Sequence, residues 1–161
     1  MKFICALLLL LSSVAMANDD QKLSSLSLSL AEQKCLEDQR NTIASHLSPT
    51  DQASKYPSAA GKLGLLRALL AAHTFTGTQT YELQSMGVVL GDAFVADMGF
   101  HWIVVEDAHG RDPAIRYRDT SVVLFPLAMI SKRVEDGQDV DVFELYNSVA
   151  DDVYKLIDDG A

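Results

Sequence analysis

The sequence predicts an α+β fold: a three-stranded antiparallel meander packed against four to five helices, in the order α-α-α-β-β-β-α-α. Two observations carry this. A block rich in β-branched and aromatic residues with tight turns occupies residues 100–125, and segments with helical apolar spacing and capping signals lie on both sides of it. The connections within the block are too short for crossovers, so the strands must pair antiparallel. The expected arrangement has helices shielding one apolar face of the sheet and an acidic exterior left free.

Ser29 and Glu32 stand at capping-box spacing, which starts a helix from Leu30 to about Leu47, with Leu36, Ile43 and Leu47 on one face and Cys35 beside them. Pro49 ends it, and Ser48 to Pro57 reads as a loop. Ser58 caps a helix to about His73 that buries Leu63, Leu66, Leu69 and Leu70. Gly61 and Gly64 weaken it by roughly 1 kcal/mol each relative to alanine and leave room for a close neighbour. From Gln79 to Met98, the residues Leu83, Met86, Leu90, Phe94 and Met98 recur at core-facing spacing. Gly87 and Gly91 cut a notch into that helix, and Gly99 is placed to end it in the left-handed conformation. Phe100 to Glu106 reads as the first strand, Asp107 to Gly110 as a turn and Pro113 to Arg118 as a half-exposed strand. Ser121 to Phe125 is apolar enough for the central or best-buried strand. Pro126 opens a helix closed by Gly137, and Asp141 with Glu144 starts the last one, which carries Leu145, Val149, Val153 and Leu156.

The first residues set the compartment. Lys2 precedes an apolar run from Ile4 to Leu11, too short to span a bilayer as a mature helix, and Ala15-Met16-Ala17 has the small-x-small form of a cleavage site. The expected organisation is a signal peptide over 1–17, a flexible segment over 18–29 and one α+β domain over 30–161. Cleavage after Ala17 delivers the chain to the periplasm of a Gram-negative cell, or to the medium, with no stable membrane insertion. The alternating Leu-Ser residues before Ser29 suit either a strand or a terminal linker ending in a docking segment.

Cleavage leaves 144 of 161 residues, the size of one ordinary domain, which needs no metal or disulfide to be stable. Cys5 leaves with the leader, so Cys35 cannot form an internal bridge; it is expected to be a small buried hydrophobe, the alternative being an intermolecular thiol. The formal net charge of −9 becomes −10 once Lys2 is lost. That sign disfavours nucleic acid and anionic membranes, and permits a protein partner with a basic or neutral surface.

The stretches GVVLGDAF (Gly87 to Phe94), MGFHWIVVEDAHGRD (Met98 to Asp112) and VLFPLAMISKRVEDGQDVDV (Val123 to Val142) resemble a bacterial family, domain of unknown function 3806. LEDQR at Leu36 to Arg40 is similar too, extending the resemblance over most of the mature chain. It implies a shared fold and carries over no catalytic residue, substrate or cofactor.

The candidate binding residues are His101, Glu106, Asp107, His109, Arg111 and Asp112, all but the first clustered at the first strand turn. No second histidine stands at a spacing that completes a zinc site, so no metal or cofactor is expected. A hairpin tip is also too open to shift a pKa by burial. There is no G-x-S-x-G elbow, P-loop, dinucleotide-binding turn or Cys-x-x-Cys. Asp92 and Asp97 lie five apart and form no close dyad, and Lys132 and Arg133 read as a helix end salt-bridged to Glu135 and Asp136. The expected function is therefore a non-enzymatic periplasmic binding protein, in one form an immunity-type inhibitor of a toxin. The alternative is a periplasmic hydrolase using Glu106, Asp107 and His109.

Overall fold

A computed structural model describes residues 14–15, 24–107 and 110–160. Most of the expected leader, its cleavage site and His109 lie outside the described residues. The elements are β1 (Val14–Ala15), β2 (Ser24–Leu26), α1 (Leu30–Ala44), α2 (Pro49–Ser54), α3 (Ala59–Ala71), α4 (Thr80–Met98), β3 (Phe100–Asp107), β4 (Gly110–Tyr117), β5 (Val123–Leu124), α5 (Leu127–Glu135) and α6 (Val142–Asp158). The predicted α+β class and antiparallel meander are both present.

The meander β3-β4-β5 is extended on each side by a short antiparallel strand, giving the order β1-β5-β4-β3-β2. Of the two readings of the Leu-Ser segment, the strand is the one adopted: Ser24 to Leu26 pair with Glu106 to Val104. β1 falls inside the expected leader. The hairpin is tighter than expected, because pairing continues to Asp107 and Gly110 and leaves only two residues between the strands. Arg111 and Asp112 therefore belong to β4, not to a turn. The third strand is buried but it is neither long nor central. Val123 and Leu124 pair with Arg116 and Ile115, and β4 takes the middle position because a meander keeps chain order.

Local caps explain the helix starts. Ser29 and Glu32 form the reciprocal capping box at α1, Ser58 accepts from the Gly61 amide at α3, and Asp141 accepts from Phe143 and Glu144 at α6. The predicted loop after α1 contains an additional helix, α2. Ser48 accepts from the Asp51 amide and Pro49 sits in the first turn, where its missing N–H costs nothing. α1 buries Leu36, Gln39 and Ile43 at spacings of three and four, and Cys35, one position off that stripe, is exposed. Its expected burial is thus corrected by about 100° of helical phase.

α4 is the central helix, packed by α1, α3, α5 and the sheet. The notch is real: a Cβ on Gly87 would lie 2.5 Å from the Pro126 carbonyl oxygen, and one on Gly91 would lie 2.7 Å from the Trp102 ring. Of the other glycine pair, Gly61 abuts the Lys55 carbonyl while Gly64 faces open space. Gly99 ends α4 at φ 80°. The principal core runs from Leu66, Leu90 and Phe94 to Phe100, Ile115, Tyr117 and Leu124 on the helix-covered face of the sheet. The opposite face carries a second cluster of Ile103, Val105, Ala114 and Val123, with Phe125 against it. The expectation of one apolar face fails here. The run Ile103-Val104-Val105 is apolar without a break, so it sends apolar side chains to both faces.

Candidate functional site

The predicted polar cluster is divided by the fold. Glu106 and Arg111 face each other across the hairpin and form an ion pair of 2.9 Å. Arg111 also reaches α1, its Nε donating to Glu32 at 3.0 Å. The same carboxylate accepts from the Ser29 backbone N–H at 2.7 Å, so the capping box and the hairpin share one group. The bonds from Arg111 and Ser29 hold the Glu32 carboxyl down at about 2. Asp107 accepts from the Gly110 N–H at 3.2 Å, a turn-closing role. His101 stands at the other end of β3, opposite Arg116, about 17 Å from Glu106 at 3.4 Å per residue. Asp112 is exposed on β4. Among the described residues no group of three His, Cys, Asp or Glu side chains is disposed to hold a metal ion.

A groove of about 600 Å³ opens between α1 and α5, with α4 behind it and the start of β4 at one end. Phe125, Leu127 and Pro113 supply apolar walls, Cys35 and Tyr81 lie at the lip, and Asp112 and Lys132 bring charges of opposite sign. Gln39 also lines it. This residue is 4% exposed, yet its carboxamide makes no hydrogen bond among the described residues. Its place between Leu36 and Ile43 on the core stripe is the signal the sequence holds for its burial, against the polarity of its side chain. Of the predicted site residues, Asp112 alone lines this groove.

A second polar assembly lies deeper. Arg40 on α1 donates to Asp92 on α4 through Nε at 2.6 Å and Nη2 at 2.9 Å, and Trp102 Nε1 donates to the same carboxylate at 2.8 Å. The Arg40 guanidinium lies 5.8 Å from the centre of the Trp102 ring. Its bond to Asp92 raises its pKa above the usual arginine value. Nearby, Lys62 donates to the Tyr56 and Pro57 carbonyls and sits 4.8 Å from the Tyr56 ring, while burial lowers its pKa. The Tyr56 hydroxyl is buried without a partner; burial, and then the Asp92 charge, push it up to about 12. With a permanently charged guanidinium holding both oxygens of Asp92, this assembly ties α1, α4 and β3 together and is not an acid–base pair. Lys132 and Arg133 do not form the predicted salt-bridged end. Arg133 donates to the Met129 carbonyl, and Glu135 accepts from Thr80.

Residues 62–146 match the family described as a domain of unknown function, DUF3806. The chain belongs to this family. The DUF3806 match runs from Lys62 to Tyr146, so it takes in α4, the hairpin and α5, and leaves α1 outside. The LEDQR stretch is therefore not part of the matched region. Arg40 from that stretch, Asp92 from GVVLGDAF and Trp102 from MGFHW nonetheless meet in one network, so the stretches that carry the resemblance are fold-defining contacts. A crystal structure from Bacteroides thetaiotaomicron VPI-5482 is similar in fold, with a TM-score of 0.66 at 15% sequence identity, covering 84% of this chain and 50% of that one. The DUF3806 chain thus spans half the length of that structure. No curated protein matches it.

Proposed function

We propose that this is an exported, non-enzymatic binding protein that acts in the periplasm after cleavage following Ala17, and that its partner is a protein with a basic or neutral surface. The observation that carries the reading is the groove between α1 and α5: about 600 Å³, largely apolar, with the Gln39 carboxamide, unpartnered among the described residues, in it. An extended segment of a partner can lay apolar side chains against Phe125 and Leu127 and pair its main chain with Gln39. Asp112 at one end of the groove and the net charge of −9 favour a partner of opposite charge and suit the immunity-type version, in which a basic rim is masked. The hydrolase reading has less behind it, since Glu106 is engaged by Arg111 and Asp107 by the turn.

The test is co-purification from periplasmic extract, with the wild-type protein beside Ala128→Trp, which fills the groove with an indole. The expected result is one recurrent partner that is lost from the variant. A partner retained by Ala128→Trp places binding elsewhere, and the failure of any partner to recur overturns the binding reading.

A further inference from the structure

The six arginines of the chain are not equivalent. Arg40 and Arg111 hold carboxylates, Arg133 a carbonyl, and Arg67 and Arg118 lie over the rings of Phe143 and Tyr117. Arg116 makes no hydrogen bond or ion pair among the described residues, and its Nε is buried without a partner. In a protein of net charge −9, carboxylates are abundant, so an unmatched, partly buried guanidinium is an anomaly. Leaving a buried charged donor unsatisfied costs more than leaving a neutral one.

Its surroundings give the anomaly a meaning. Arg116 lines a cleft of about 380 Å³ at the end of β3 where β2 has stopped pairing. His101, exposed, is its direct cross-strand partner. Leu26, Leu28 and Ile103 supply apolar surface, and no lining residue is acidic. Ser27 contributes a hydroxyl, while the Gln33 side chain is already engaged with the Leu28 carbonyl.

We infer that this cleft binds a small organic monocarboxylate with an apolar body, its carboxylate on the Arg116 guanidinium beside His101 and its hydrocarbon against Leu26, Leu28 and Ile103. Three features select that class. The two Nη groups of a guanidinium form a planar pair of donors that matches the two oxygens of a carboxylate. One permanent cation balances one negative charge, whereas a phosphate dianion calls for more. The apolar wall has no use for a bare inorganic ion. The cleft lies apart from the α1–α5 groove and stands whether or not a protein partner binds there.

The single tryptophan, Trp102, borders this cleft but directs its indole to Asp92 and Gly91 of α4, so occupancy is read by calorimetry. The purified protein is titrated with octanoate, acetate, 1-octanol and inorganic phosphate. Octanoate is expected to saturate at one site, with acetate and octanol each at least tenfold weaker, because one lacks the apolar body and the other the charge. Arg116→Gln should weaken octanoate at least tenfold, and Arg116→Lys by less, since it restores the charge without the fork. His101→Glu, at an exposed position where folding is not at stake, should abolish binding by placing a carboxylate across from Arg116. No saturable signal with octanoate overturns the assignment. So does octanol or phosphate binding as tightly as octanoate, or octanoate binding unchanged in both Arg116→Gln and His101→Glu.

Discussion

Arg40 and Arg111 both start from the same chemistry, a guanidinium holding a carboxylate from a distant part of the chain, and they end in opposite roles. Arg40 meets Asp92 with side chains 29% and 12% exposed, and Trp102 completes the carboxylate. Arg111 meets Glu106 and Glu32 near the tip of the hairpin, with side chains 37%, 47% and 23% exposed, so water reaches these bonds more readily. The difference is dielectric. Taking one partner from a desolvated pair leaves an uncompensated charge, whereas an exposed pair exchanges its partner for water at little cost. The pair hidden among helices holds the fold, and the pair that looked functional in sequence docks a hairpin onto the start of α1.

The largest expected effect follows from the buried member. Asp92→Ala leaves both the Arg40 guanidinium and the Trp102 N–H without their acceptor, and should lower stability by about 3 kcal/mol, or roughly 6–12 °C in Tm. Denaturant titration checks this, and a loss no greater than that of an exposed alanine substitution would erase the contrast. Gly87→Ala comes next. The added methyl meets the backbone of Pro126 and Leu127, which cannot swing aside, so a loss of about 2 kcal/mol is expected. Gly64→Ala, facing open space in α3, is its control and should stabilise by up to about 1 kcal/mol.

Tyr56→Phe has the opposite sign to the first two. It removes a buried hydroxyl that has no hydrogen-bond partner among the described residues, so stability should rise by about 1 kcal/mol. It should also flatten the alkaline limb of the stability profile. Because the folded pKa of Tyr56 is raised from 10.0 to about 12, its contribution is intact below pH 10 and is lost as pH climbs through the folded value. The smallest effect belongs to the exposed member: Arg111→Ala should lower Tm at neutral pH only slightly, because water takes up the freed carboxylates. Its signature is in acid. Glu32 is lowered from 4.5 to about 2 chiefly by Arg111, so its contribution is present above pH 4.5 and disappears as pH falls through the folded value. Removing Arg111 should shift that loss to higher pH, which a carboxyl titration followed by NMR would detect.

Much of the architecture was legible because its signals are local. Ser29 with Glu32, Ser58, Asp141 and Gly99 mark helix ends within a few residues, and the spacing of Leu83, Met86, Leu90 and Phe94 marks the core face of α4. The notch at Gly87 and Gly91 was visible as a pattern, though not its occupants, Pro126 and Trp102. The candidate site was far less legible. Asp112 lines the groove as its charge suggests, whereas Gln39, a polar residue on the core stripe, and the exposed Cys35 run against what their residue types imply. The bond between Arg40 and Asp92 spans 52 positions, and no spacing rule reaches that far.

Helix ends, turns and the pairing of the strands as a meander can be read along the chain, because they rest on backbone chemistry within one or two turns. Which charges meet is a property of the folded molecule. The fold put Asp92 under Arg40, stapled Arg111 to Glu32, and left Arg116 and Gln39 facing open clefts. Electrostatic and hydrogen-bond energies depend on desolvation and on neighbours across the fold, and those exist only once the helices have closed over the sheet.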